Sequence, residues 1–214
     1  MSAHLRSYAG LDKRRVENLT DGIFATVMTI LGLSLSVPYI LVAGQTTPLT
    51  IDFHSLAIGI VVYAMSFVFL GVYWVGHHIA FEYLRLTDRI FIWLNNLFLL
   101  CIGLLPLTTA LLGDNFLDPV RLIIYGLNLI AIGLSLYVTF RHATVGHHLI
   151  NEDLNLEVIR RGARRILMGP SIATVAILLT LVTPIAGLLV FAAMPVPFIF
   201  PGRVDSLLHR VERA

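Results

Sequence analysis

The sequence predicts an all-α integral membrane protein with six transmembrane helices. Of its 214 residues, 57% are apolar and only 13% are charged, whereas a soluble domain carries about a quarter charged residues. Mostly apolar blocks of roughly 20 residues, the length that crosses a bilayer as a helix, recur along the chain. They are about Leu19–Val42, Phe53–Val75, Ile90–Leu112, Val120–Phe140 and the longer block Ile166–Phe200.

The last block is too long for one span, and Pro184 is expected to divide it into two helices. Proline cannot donate to the helix ladder, and it pushes the preceding residue, Thr183, out of the helical region. The longest polar stretch, Arg141–Arg165, is expected to extend the fifth helix beyond the membrane. Because no soluble second domain is evident, residues 1–214 are predicted to form one transmembrane domain.

Positive charge is unevenly distributed between the two sides of the predicted membrane. Of the 15 Lys and Arg residues, Arg121 alone lies on the side that holds the loops near Gly44–Asp52 and Gly113–Pro119. Such an excess marks the cytoplasmic side, so both termini are predicted to be cytoplasmic. The net charge of +2 then reflects topology, and we expect no nucleic-acid partner.

The first block carries a stripe of hydroxyl and aliphatic side chains at helical spacing. Its members are Thr26, Thr29, Ile30, Leu33 and Val37, which share one face of a helix. One interpretation is the lining of a pore. The other is that the hydroxyls bond to carbonyls of their own helix or hold helices together. The pattern alone favours the second interpretation.

Asp21 lies near the start of the same helix and has three interpretations. It can complement the positive helix N-terminus, with Thr20 as a cap, or it can handle protons or cations. We favour a structural role, as a buried acceptor that ties the first helix to the next two. The candidate donors lie at the same membrane depth, namely Trp74 and His77 at the end of the second helix and Asn95 in the third.

Catalytic and metal-binding motifs are not evident in the sequence. His77, His78, His142, His147 and His148 are all expected at the cytoplasmic face. Imidazole suits several transition metals, but adjacent histidines diverge on a helix. We therefore expect no metal site, no catalytic residue, no cofactor and no enzyme activity.

Three groups of residues resemble the bacterial relatives of the endosomal and lysosomal potassium channel, the transmembrane protein 175-like family. The family's R-x-x-x-F-S-D-G motif corresponds to the run from Arg15 to Gly22, with Leu19 and Thr20 in place of Phe and Ser. Trp74 and His77 match a Trp and a His at the end of the family's second helix. The run from Trp93 to Pro106 matches the third helix.

The resemblance implies a homotetrameric, potassium-permeable cation channel of the bacterial inner membrane, with a pore lined by the first helix of each subunit. In place of a carbonyl selectivity filter, aliphatic side chains form constrictions beside a Thr layer. The implied pore positions are Thr26, Thr29, Ile30 and Leu33. Thr26 departs from the Ile or Leu of many relatives, which weakens one constriction and with it the predicted selectivity for potassium.

The resemblance also implies a structural polar network within each subunit. Its members are Arg15, Thr20, Asp21, Trp74, His77 and Asn95. Two other functions stay open at this point. One is a secondary transporter that uses Asp21 as its coupling carboxylate, and the other is a membrane metalloenzyme that uses the histidines.

Overall fold

The computed structural model describes residues 13–34, 53–145, 149–150 and 155–199. Within these ranges the chain folds into eight helices and no β-strand. They are α1 (Lys13–Ser34), α2 (Phe53–Glu82), α3 (Arg89–Gly103), α4 (Leu105–Asp114), α5 (Pro119–Thr144), α6 (Leu156–Thr180), α7 (Pro184–Ala193) and α8 (Val196–Ile199). Val37 and His147–His148 lie outside the described residues.

Five spans are long and apolar enough to cross a membrane, and α7 and α8 together form a shorter apolar segment, Pro184–Ile199. Large apolar side chains, such as Val61, Leu100 and Leu189, are exposed on the outside of the bundle. A surface of this kind is stable only against lipid or another protein. The prediction of a multi-pass, all-helical membrane protein is thus confirmed.

Helix boundaries follow from proline and from capping side chains. α6 ends at Thr180, and the hydroxyl of Thr183 accepts a hydrogen bond from the amide of Ala186, which caps α7 as Pro184 predicts. The third block is not one continuous helix, because Leu104 separates α3 from α4 and Pro106 lies in the first turn of α4. α2 runs seven residues beyond the predicted Val75, to Glu82.

α5 lies at the centre of the bundle and contacts α2, α3, α4, α6 and α7. Tyr125, Leu129 and Ile132 on this helix are fully buried. α6 and α7 approach α5 closely because two positions on it are glycine. A Cβ atom at Gly126 would lie 2.7 Å from side-chain atoms of both Ile177 and Phe191. Small residues at such contacts are typical of membrane helix packing.

Gly133 provides a test of this packing, because a Cβ atom there would overlap the ring of Pro170 on α6. The proline ring cannot move aside, so Gly133→Ala should destabilise the fold by about 1–3 kcal/mol through overpacking. The measurement is the thermal unfolding midpoint of purified protein in detergent. Gly103→Ala is the matched control, because a Cβ atom there meets nothing within 4 Å. Equal midpoints for the two variants would contradict the packing described.

Candidate functional site

α1 has one packed face and one open face in the single chain. The packed face contacts α2, α3 and α4 through Val16, Thr20, Phe24, Val27 and Leu31, all of which are buried. The predicted stripe lies on the open face: Thr26 and Thr29 are exposed, and Ile30 and Leu33 are 46% and 61% exposed. The described part of the stripe is therefore available to line a surface that several copies of the chain share.

The hydroxyls of the stripe bond within their own helix. Thr26 donates to the carbonyl of Gly22 at 2.8 Å, and Thr29 donates to that of Ala25 at 2.9 Å. This bonding pattern is the alternative that the sequence pattern favoured. The two hydroxyls can still contact a cation, because a hydroxyl that donates its proton keeps its oxygen lone pairs as acceptors.

Asn95 is the centre of a buried polar network that joins α1, α2 and α3. Its side-chain oxygen lies 2.9 Å from Nε2 of His77, and its side-chain nitrogen donates to the hydroxyl of Thr20 at 3.2 Å. Thr20 and Asn95 are 0% exposed and His77 is 4% exposed. The structure thus brings these three predicted network residues together, each on a different helix.

Packing holds the His77 ring in place as firmly as the hydrogen bond does. The ring stacks on Phe81, one turn further along α2, with centroids 4.1 Å apart. The ring also stacks on Phe98 of α3, with centroids 5.4 Å apart and the ring planes 5° from parallel. The two phenylalanines were not singled out in the sequence. The four-residue spacing from His77 to Phe81 is the signal that could have found one of them.

Asp21 and Trp74 form a second link between α1 and α2. The indole nitrogen of Trp74 donates to a carboxylate oxygen of Asp21 at 2.9 Å, and Trp74 also stacks on His78. Asp21 is exposed in the single chain, so the expectation that this acceptor is buried is wrong for a single subunit. The Asp21 carboxylate lies at the edge of the open face of α1, whereas Thr20 is buried beside it.

Arg15 is not brought to this network. It is exposed, and among the described residues it makes no hydrogen bond or ion pair. The reason is helical geometry: five residues separate Arg15 from Thr20, which is a rotation of about 140° around the helix axis. The Arg15 side chain therefore leaves α1 on the side away from Asn95.

A second buried polar layer, which the sequence did not reveal, joins α2, α4 and α5. The hydroxyl of Thr109 donates to that of Ser66 at 2.9 Å, and Ser66 lies 3.0 Å from the Tyr125 hydroxyl. Nearby, the side chain of Asn128 donates to the Thr108 hydroxyl at 3.3 Å. Every buried polar side-chain atom of the described residues has a partner, which is typical of polar groups that hold membrane helices together.

His77, His78 and His142 have separate partners. His142 contacts both carboxylate oxygens of Asp88, at 3.1 and 2.9 Å, and Asp88 also caps α3 through the amide of Phe91. Within the described ranges, no three His, Cys, Asp or Glu residues are grouped closely enough to hold a metal ion. His147 and His148 lie outside those ranges, so the absence of a metal site stays a prediction.

Known proteins resemble this chain in sequence. A family model described as "Endosomal/lysosomal potassium channel TMEM175" matches residues 15–106, which contain α1 to α3 and their polar network. "Potassium channel B446_29190" of Streptomyces collinus is 29% identical over 162 residues, or 72% of this chain and 76% of the relative. "Potassium channel Cha6605_3372" of Chamaesiphon minutus is 27% identical over 172 residues, or 79% and 84%.

A rat relative and two solved structures add to the comparison. "Endosomal/lysosomal proton channel TMEM175" of Rattus norvegicus is 29% identical over 173 residues, and this chain spans 35% of its length. The crystal structure of a lysosomal potassium-selective channel TMEM175 homologue from Chamaesiphon minutus covers 87% of this chain and 96% of its own, at 26% identity and a TM-score of 0.73. That of a potassium channel MtTMEM175 variant, bound to a nanobody fusion, shares the fold at 18% identity, a TM-score of 0.57 and 93% coverage of each chain. Residues 15–106 of this chain thus resemble the TMEM175 family, and the two bacterial potassium channels match the chain over most of their own length.

Proposed function

We propose that this protein is a potassium-permeable cation channel, formed by four copies of the single domain 1–214 with α1 of each copy around a central pore. The polarity of the open face of α1 carries this proposal. α1 exposes Thr26 and Thr29 between its aliphatic residues. α6 also exposes two hydroxyls, those of Ser171 and Thr174, but α1, unlike α6, lies in the region that matches the TMEM175 family model. Polar groups at membrane depth are stable only against protein or water, which favours an aqueous path.

The names of the relatives support the choice of ion. The two bacterial relatives are named potassium channels, and the Chamaesiphon structure is described as potassium-selective. In this proposal the permeant ion is potassium and no bound cofactor is needed. Selection arises at the exposed aliphatic side chains of α1 and not at a ring of backbone carbonyls.

Leu33 is the strongest candidate for the constriction. It is the most exposed large apolar side chain on the described part of α1, at 61%. A ring of such side chains excludes water, so that an ion must shed part of its hydration shell without a substitute ligand. Potassium holds its water less tightly than sodium, so this ring penalises sodium more. The hydroxyl oxygens of Thr26 and Thr29 lie about two turns and one turn before Leu33, respectively, where they can replace some of that water.

The test is potassium flux through purified protein reconstituted into liposomes, together with single-channel recording. A channel gives unitary current steps, and its reversal potential follows the potassium gradient. A reversal potential that follows only the pH gradient would make protons the main permeant ion, as the name of the rat relative suggests for that protein. Slow, saturable flux without unitary steps, lost in Asp21→Asn, would instead support the transporter.

Orientation is a separate part of the proposal, with both termini in the cytoplasm of a bacterial cell and the protein in its inner membrane. Asn115 and Glu157 lie at opposite ends of the bundle, at the end of α4 and the start of α6. In a Cys101→Ala background, Asn115→Cys should react with an impermeant thiol reagent added outside intact cells. Glu157→Cys should react only after the membrane is opened. The reverse labelling pattern would contradict the proposed orientation.

A further inference from the structure

An apolar groove runs along the outside of α2, and no described residue of α1 lines it. α5 and α6 form its other wall, and Met194, between α7 and α8, and Phe198 of α8 also line it. Its volume is about 610 Å³, within the range of roughly 300–1,000 Å³ that is typical of small-molecule sites. The lining is almost entirely apolar and aromatic, and Trp74 is among the lining residues.

Glycines keep this groove open. Gly71 on α2 lines the groove, and a Cβ atom added at this position would have nothing within 4 Å. A larger side chain there would therefore extend into the groove without a clash at its Cβ atom. On α6, Gly162 and Gly169 leave the rings of Phe140 and Phe198 exposed to the groove. The groove is therefore empty because glycine occupies these positions on α2 and α6.

Two arginines lie at the polar end of the groove, where α6 begins. Arg161 and Arg165 are one turn apart on α6 and both line the groove. Arg165 donates to the carbonyl of Phe198 at 3.2 Å, a neutral partner, and Arg161 pairs with the exposed Glu157 at 2.9 Å. Arg160 and Arg164 lie on the same helix. α6 therefore contains four arginines and one glutamate, which give it a net charge of +3.

We propose that this groove is a binding site for an anionic phospholipid, with an acyl chain against the apolar wall and the phosphate at Arg161 and Arg165. A groove that is apolar along its length and basic at its membrane-surface end matches an anionic lipid in both parts. Basic pockets between transmembrane helices bind such headgroups. The charge disfavours the chain's own C-terminal segment as the occupant, because residues 203–213 contain three arginines and two acidic residues.

Trp74 allows occupancy to be measured directly. The chain has two tryptophans, Trp74 and Trp93, so Trp93→Phe leaves Trp74 as the single fluorophore at the groove. Purified full-length protein in nonionic detergent is titrated with phosphatidylglycerol or phosphatidylcholine that carries bromine on the acyl chains. Phosphatidylglycerol should quench Trp74 at a concentration roughly tenfold lower or more, since each arginine near a lipid surface contributes about a fivefold preference for anionic lipid.

Matched variants separate the charge from the groove. Arg161→Gln/Arg165→Gln should abolish the preference for phosphatidylglycerol. Arg160→Gln/Arg164→Gln removes the same charge from two exposed positions that do not line the groove, and it should leave most of the preference intact. Gly71→Leu should reduce quenching by both lipids, whereas Gly103→Leu, at another open glycine position, should not.

Three outcomes would overturn the proposal. Equal quenching by the two lipids would mean that the arginines do not recognise a phosphate. An absence of quenching by either lipid would mean that another subunit or the chain's own tail covers the groove. Displacement by soluble glycerol phosphate at millimolar concentration would identify a site for free phosphate, because that probe has the headgroup chemistry without the acyl chains.

Discussion

Replacing Leu33 by alanine is expected to raise the single-channel potassium conductance several-fold and to reduce discrimination against sodium. In a tetramer this change removes four isobutyl groups from one level of the proposed pore. A wider ring holds more water, so both ions cross it with less dehydration. The gain is larger for sodium, which binds its water more tightly. The measurement is unitary current in potassium, together with the reversal potential under mixed potassium and sodium gradients.

Two leucines provide matched controls for this variant. Leu100 on α3 is 61% exposed, the same fraction as Leu33, but in the proposed tetramer it does not line the pore, so Leu100→Ala should leave conduction unchanged. Leu31, on the packed face of α1, is 0% exposed, so Leu31→Ala should cost about 2–5 kcal/mol of stability through a cavity. Unchanged conduction in a well-folded Leu33→Ala channel would remove Leu33 from the ion path.

Thr26→Ile should change conduction in the opposite direction. It replaces a hydroxyl on the open face of α1 with an aliphatic group and adds a second apolar ring about two turns from Leu33. Both effects raise the dehydration cost at that level, so potassium current should fall and selectivity over sodium should rise. A Thr26→Val variant keeps the shape of threonine without its hydroxyl, and it separates the loss of the oxygen from the added bulk.

Asn95→Ala should destabilise the subunit by several kcal/mol. Asn95 is fully buried and bonds to both His77 and Thr20. Its removal leaves two buried polar groups without these partners, and each such group costs about 1–3 kcal/mol. The measurement is thermal unfolding of purified protein in detergent, followed by the yield of folded protein from membranes.

The adjacent Asn96 provides the control for this prediction. It is half-buried and makes no hydrogen bond among the described residues, so Asn96→Ala should change the unfolding midpoint little. A double-mutant cycle with His77→Phe tests the mechanism. If the cost of Asn95→Ala arises from an unpaired His77, it should be smaller in the His77→Phe background. Strict additivity would contradict a direct interaction between the two side chains.

Helical periodicity was enough to predict that Thr26, Thr29 and Leu33 share one face of α1, and the family resemblance suggested that this face is open. Thr26, Thr29 and Leu33 lie within a narrow arc because each residue turns the helix by about 100°, and this relation does not depend on the rest of the fold. The same relation, applied to Arg15, would have placed it away from Thr20. The resemblance to a family motif put Arg15 in the network without regard to the helix face.

Features that depend on several helices were not accessible from the sequence. Ser66, Thr109 and Tyr125 meet only because α2, α4 and α5 converge, and a lone Ser or Thr in an apolar run more often bonds within its own helix. The break at Leu104 between α3 and α4 was also not predicted, although Pro106 in the first turn of α4 is a sequence signal for it. The groove along α2 depends on the positions of glycines on two helices and on the packing of α8.

The most direct test of the proposed channel is the reactivity of a cysteine on the open face of α1 during single-channel recording. In a Cys101→Ala background, Leu33→Cys should give unitary potassium currents that a small thiol-reactive cation blocks irreversibly. Leu100→Cys, of equal exposure on the outer surface, should conduct without block. If currents through Leu33→Cys and Thr29→Cys both persist under the reagent while labelling of the purified protein is complete, α1 does not line the ion path.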